Sequence, residues 1–186
     1  MCCTIRRRRW MRMDDCPHRN HSRNMIKFLL LISRQGKTRL SKWYQPYTSK
    51  EKARTCKEVT NIILSRKHKS CNFVEWKDEK IVYKRYASLY FACCVDNDDN
   101  ELITLEIIHH FVEILDKYFG NVCELDLIFN FHKAYYILDE ILIAGELQES
   151  SRKAILRVCS AQDALMDENN EDSAASNRNG RRSRRN

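Results

Sequence analysis

The sequence predicts an α+β domain built on one antiparallel sheet. Three observations carry this. Short segments rich in β-branched and aromatic residues are separated by polar turns, as hairpins require. Their order is two strands, a helix, three strands, then helical periodicity to the end of the apolar sequence, which argues for helices covering both faces of the sheet. Finally, Leu89–Val95 (LYFACCV) is apolar at nearly every position, the mark of a strand covered on both faces and hence of the sheet's centre.

In chain order, Ile26, Phe28, Leu30 and Ile32 alternate as on a strand, with Lys27 between the first two. Ser33–Lys37 is a turn in which Gly36 is free to take positive φ, and Thr38–Tyr44 returns as the second strand. Thr48-Ser49-Lys50-Glu51 is a capping box. It opens a helix whose stripe is Ala53, Cys56, Val59, Thr60 and Ile63, ending near Ser65 before the basic loop Arg66–Lys69. Asn72–Trp76 is a third strand and Lys77–Glu79 a turn. Ile81–Tyr83 and Leu89–Val95 then form strands that are joined tightly or run on through Tyr86–Ser88.

The polar run Asp96–Asn100 ends the sheet and supplies a helix N-cap. Leu102, Leu105, Ile108, Val112, Leu115 and Phe119 mark a helix of about five turns, stopped by Gly120. Cys123–Phe131 is short and too apolar for an exposed loop. Asn130 can cap a helix over His132–Ala144, with Gly145 as its terminator, and Ser150 or Ser151 caps a last helix carrying Ile155, Leu156, Cys159 and Leu165.

The formal charge of +8 invites a nucleic-acid reading, so its location matters. Residues 1–24 hold seven Arg and two Asp, and residues 167–186 five Arg and four acids. Only +2 remains for residues 25–166, so the folded part is nearly neutral and describes no surface that clamps a phosphate backbone. The expected organisation is a disordered basic arm at 1–24, one domain at 25–166 and a disordered tail at 167–186. Met25 reads as the ancestral start, with the arm as an upstream extension. Nine cysteines, several inside apolar runs, read as free thiols in a reducing compartment. No apolar run approaches the ~20 residues of a membrane-spanning helix, so any membrane contact is expected to be peripheral.

A search for catalytic chemistry finds little. There is no Gly-rich phosphate loop, nucleophile elbow or two-His metal motif. Cys16, His18 and His21 lack a fourth ligand at finger spacing. His109 and His110 are adjacent on a helix and point apart, and Cys93 and Cys94 alternate across a strand. No cofactor, metal or enzymatic activity is expected, and a binding protein is what remains. From the residues alone, Leu89, Val112, Leu125 and Leu127 read as core and Arg39 as a solvated charge.

A resemblance adds to this. Ile81, Val82, Tyr83 and Lys84, four further residues, then Leu89, Tyr90 and Phe91 resemble the signature of clathrin adaptor complex small chains, the sigma subunits. SRQGKTRLSKWY at Ser33–Tyr44, NFVEW at Asn72–Trp76 and the stretch from Asp99 to Glu140 agree, and the similarity runs from Met25 to about Cys159. SRQGK, VYKRYASLYF and HKAYYILDEILIAGELQESS look most like sigma chains of the trans-Golgi/endosomal adaptor complex in plant-type form. The sigma chain of the plasma-membrane complex is the nearest alternative, and a longin-type trafficking regulator a more distant one.

The resemblance implies a longin-like fold, with a five-stranded antiparallel sheet and helices on both faces. It implies a place in a heterotetramer with a large gamma-type adaptin chain, a beta-type large chain and a medium chain. Clathrin and an ADP-ribosylation-factor GTPase would be engaged indirectly, peripheral to trans-Golgi, endosome and coated-vesicle membranes. The activity implied is recognition of acidic dileucine signals in cargo tails. By matching position, Ala87, Leu89, Val112, Val122, Leu125 and Leu127 would form the apolar pockets, with Asn121 at the rim and Arg39 as the cation for the acidic residue. The basic arm has no counterpart in that family.

Overall fold

The computed structural model describes residues 25–67 and 70–166. The expectations for the arm at 1–24, its Cys16, His18 and His21, and the tail at 167–186 lie outside the described residues. Five strands make one antiparallel sheet: β1 (Phe28–Ser33), β2 (Thr38–Trp43), β3 (Phe73–Trp76), β4 (Glu79–Tyr86) and β5 (Leu89–Asp96). The order is β2-β1-β5-β4-β3, so β5 is central, as its unbroken apolarity predicts. Helix α1 (Ser49–Ser65) covers one face. On the other lie α2 (Glu101–Phe119), α4 (Phe131–Ile141) and a last helix, α5, over residues 152–166. The short α3 (Glu124–Phe129) joins α2 to α4, and a small hairpin of β6 (Leu142–Ile143) and β7 (Glu146–Leu147) precedes α5.

Two cores follow from strand alternation. Phe28, Leu30, Ile32, Ile81 and Ala92 face α1, joined by Val59, Ile63 and Trp76. Leu29, Leu31, Val82, Phe91 and Cys93 face α2, joined by Ile108, Phe111, Ile137 and Ile155. The strand alternation expected from Ile26 to Ile32 therefore describes only one face of β1. All six residues of that strand are buried, and Ile26, just ahead of it, belongs with the α2-side core.

Cys93 and Cys94 fall on opposite sides, and burial pushes both thiols well above the ordinary range, so they behave as small apolar groups. At the sheet's end, Lys27 Nζ bridges Glu79 (2.7 Å) and Asp96 (2.6 Å). Burial would lower the Lys27 ammonium, but the two carboxylates outweigh it and hold it above the usual lysine range.

Three local expectations change. In α1 the capping box forms as expected, with Glu51 N–H donating to Thr48 Oγ1 and Thr48 N–H to Glu51 Oε2. The buried stripe, however, takes Thr55 and leaves Ala53 exposed. The inward face of α2 is broader than a single stripe, including Thr104, Ile107, Phe111 and Ile114, while Leu102 at its start is 66% exposed. Helix α4 ends at Ile141, three residues early. Ala144 and Gly145 both take positive φ, which turns Leu142–Ile143 back onto Glu146–Leu147. That turn is anchored by Ile26 N–H donating to Gly145 O (2.9 Å).

Candidate functional site

The residues expected to bind a sorting signal meet where β2, the β4–β5 turn, the end of α2 and α3 come together. The C-terminus of α2 sets the geometry. Gly120 caps it in the left-handed region at φ 65°, and Asn121 follows at φ 69°. Both N–H groups donate to Asp116 O, and Val122 N–H donates to the Asp116 carboxylate (3.1 Å). This double reversal turns the chain into α3. The first turn of α3 is held by Asp126, whose carboxylate accepts Cys123 N–H at 2.9 Å; the Cys123 side chain first, and this N–H second, keep it below the usual carboxylate range.

Six residues give α3 an inner and an outer side. Leu127 is 1% exposed and belongs to the core that contains Leu89 and Val112, with Val122 packed against it. Leu125 (60%) and Phe129 (74%) point outward. Glu124 pins the helix to the sheet. Its Oε1 accepts from Arg39 Nε (2.9 Å) and pairs with Nη2 (2.8 Å), both partners being about a quarter exposed or less. Tyr135 of α4 fixes the same strand by accepting Ser41 N–H and donating to Ser41 O, each at 3.1 Å.

Placement thus divides the expected residues. Leu89, Val112 and Leu127 are buried and Val122 half-buried in one cluster, while Leu125 projects to solvent, contrary to a core reading of that leucine. Ala87 does not share a strand with Leu89, as it would if the two strands ran on through Tyr86–Ser88. The two strands are separate and joined tightly, and Ala87 sits exposed in the turn at φ 50°, where Ser88 O accepts Arg34 N–H (3.1 Å). Asn121 is exposed at the rim. Arg39 is not a freely solvated charge; it is engaged by Glu124, a residue the sequence reading missed. No sequence signal links positions 85 residues apart. A polar cleft of about 430 Å³, lined by Arg34, Gln35, Ser88 and Glu124, opens beside this pair.

The signature residues are largely structural. Ile81, Val82, Tyr83 and Phe91 are buried and Lys84 and Tyr90 half-buried within the β4–β5 ladder. Of the adjacent histidines, His109 stacks on Tyr86 (rings 6.2 Å apart, 7° between planes), and burial holds His110 below the usual histidine range. Among the described residues no group of three or more His, Cys, Asp or Glu is placed to hold a metal, and no helix is long and apolar enough to cross a membrane. The region thus sets the exposed apolar side chains of Leu125 and Phe129 beside the ion-paired Arg39.

Comparison with known proteins bears on the family of the chain. A family model described as clathrin adaptor complex small chain matches residues 25–166. The AP-1 complex subunit sigma-2 of Dictyostelium discoideum is 70% identical over 140 residues, covering 75% of this chain and 91% of the relative. The AP-1 complex subunit sigma-1 of Arabidopsis thaliana is 68% identical over 143 residues (77% and 89%), and the human AP-1 complex subunit sigma-3 is 59% identical over 143 residues (77% and 93%). A chain of a full-length AP-3 complex, a homology model in a stretched open conformation, superposes with a TM-score of 0.63 at 28% identity, covering 80% of this chain and 99% of that one. With its sheet, helices and most of its length accounted for in this way, the chain belongs to the clathrin adaptor complex small-chain family.

Proposed function

We propose that the chain is the sigma subunit of an AP-1-type heterotetrameric adaptor. It would stabilise the core by packing on a gamma-type large chain, beside a beta-type large chain and a medium chain. Together with the gamma-type chain it captures acidic dileucine signals in cargo tails moving between trans-Golgi network and endosomes. Clathrin and an ADP-ribosylation-factor GTPase are met through the complex, which is peripheral to the membrane. Similarity to AP-1 sigma subunits over three quarters of the chain supports the assignment to that complex.

The observation that carries signal binding is the convergence of Arg39 with the segment Val122–Leu127, brought together from positions 85 residues apart by the Arg39–Glu124 pair. Each leucine side chain removed from water contributes roughly 1.5–3 kcal/mol. A cation adds a charge-assisted contact to the signal's acid. Part of this is lost to ordering a flexible tail, so affinity is modest.

The test is capture of an acidic dileucine peptide by the assembled complex. Val112→Asp with Leu127→Ser is expected to abolish capture. Both positions are buried, so Arg39→Ala with Leu125→Ser, at more accessible positions, provides a second variant, its folding checked by thermal unfolding because Arg39 also pairs with Glu124. Undiminished capture by a normally assembled complex carrying the second pair would overturn the proposed site.

A further inference from the structure

On the α1 face, away from the α3 ledge, lies a second cleft of about 590 Å³. Its walls come from two distant parts of the chain: the end of α1, with Arg66 and Lys67, and the β4–β5 hairpin, with Tyr83, Arg85 and Tyr90. Lys84 also contributes to the lining, although its ammonium lies 5.2 Å from the Tyr86 ring. No carboxylate lines the cleft, and among the described residues none of these four cations forms an ion pair. Elsewhere in the fold, Lys27, Arg39, Lys42, Lys80 and Arg152 each meet an acid within 2.8 Å.

The guanidiniums are also positioned. Arg66 donates from Nε to Tyr83 Oη (3.0 Å) and from Nη2 to Cys71 O (2.8 Å), and it lies 5.8 Å from the Tyr83 ring. Arg85 donates from Nε to Ala87 O (3.1 Å) and lies 5.7 Å from the Tyr90 ring. A guanidinium has five N–H donors, so most of Arg85's and about half of Arg66's stay open while the rings and carbonyls fix the planes. Unpaired cations held in a cleft of this size are the arrangement that captures a multiply charged oxyanion with little reorganisation.

We propose that this cleft binds a phosphate-bearing anion of the inositol phosphate class, with Arg66, Lys67 and Arg85 as recognising cations and Tyr83 and Tyr90 as its aromatic wall. A soluble inositol phosphate and a phosphorylated lipid headgroup share this chemistry. Either would give the subunit an anion contact beside the proposed signal site, because Ala87 of the β4–β5 turn lines this cleft as well.

The test uses the full chain, its arm intact, with inositol hexakisphosphate followed by calorimetry. Lys67→Glu with Arg85→Glu is expected to weaken binding at least ten-fold at an unchanged melting temperature. Lys67→Gln, at an exposed position, is expected to weaken it several-fold and serves if charge reversal disturbs the hairpin. Vesicles carrying a phosphorylated phosphatidylinositol, set against phosphatidylserine vesicles of equal charge, separate the sources. Parallel loss of vesicle binding in the variant identifies a headgroup site, and loss confined to the soluble compound a free inositol phosphate site. No binding by the unmodified chain, or binding that survives both substitutions at full strength and so resides in the arginine-rich residues 6–9, would overturn the proposal.

Discussion

The two faces of the sheet are built by different means. One carries a single helix, α1, over a floor of aromatic rings in which Phe28 meets Trp43 at 4.8 Å and Trp76 at 6.1 Å. The other carries α2, α4 and α5 over a larger, mainly aliphatic core, with Phe91 and Phe111 edge to face at its centre. Three helices leave room for a fourth, short one to be laid on their rim, and α3 places apolar side chains at the surface there without opening the core. A single helix cannot roof the whole sheet. Beyond its last turn the hairpin end of β4 and β5 stays uncovered, and the cleft there is polar and basic. One face thus presents an apolar ledge with a paired cation, and the other a set of cations without acids.

This contrast makes substitutions on the two faces unequal. The largest effect is expected from Phe111→Ala, which empties the centre of the three-helix face, where Phe111 is 1% exposed. It should destabilise the chain by about 3–5 kcal/mol in urea unfolding, and a loss below 1 kcal/mol would show that this core is not continuous. Val59→Ala, fully buried on the inner side of α1, removes less volume and should cost about 2 kcal/mol. Its signature should be local. Hydrogen exchange should show α1 amides losing protection ahead of those in α2, and uniform loss over both helices would argue against independent faces.

A smaller effect belongs to the helix start. Thr48→Ala removes the acceptor for Glu51 N–H and should cost about 1 kcal/mol, with exchange speeding up in the first turn of α1 and unchanged in α2. The smallest effect is a pH dependence on the three-helix side. Burial, reinforced by the nearby Arg152 charge, holds the folded-state pKa of His110 below 6.5, so the unfolded chain binds its proton more readily. Its contribution to stability is therefore present above that value and lost as pH falls below it towards the folded pKa. Urea midpoints between pH 7.5 and 5.5 should drop less in His110→Gln than in the parent, and equal slopes would remove His110 from the account.

Much of the fold was legible because local chemistry dictates it. The capping box at Thr48, the Asn100 cap, the Gly120 terminator and the unbroken apolarity of Leu89–Val95 each specify their element without reference to the rest. The misreadings share a cause. Ile141–Ile143 is as compatible with helix as with strand, and a positive-φ turn at Ala144-Gly145, anchored on Ile26, decided against helix. Ala87 has a side chain that fits a strand, yet the sharp reversal between β4 and β5 placed it in the left-handed region. The site was less legible still. Leu125 and Leu127 are the same residue type two positions apart, and only the seating of α3 on β2 buries one and exposes the other.

By itself, then, the sequence determined the five strands of the sheet, the longer helices, their order and the central strand, but not α3 or the β6–β7 hairpin, since hydrophobic period and capping act over a few residues. Through its motifs it also carried the likeness to adaptor small chains. Tertiary structure decided which charges are paired. Arg39 finds Glu124, while Arg66, Lys67 and Arg85 gather in a cleft without an acid. Charge pairing acts through space over a few ångströms, and which residues lie that close is fixed by how sheet and helices pack, not by their spacing along the chain.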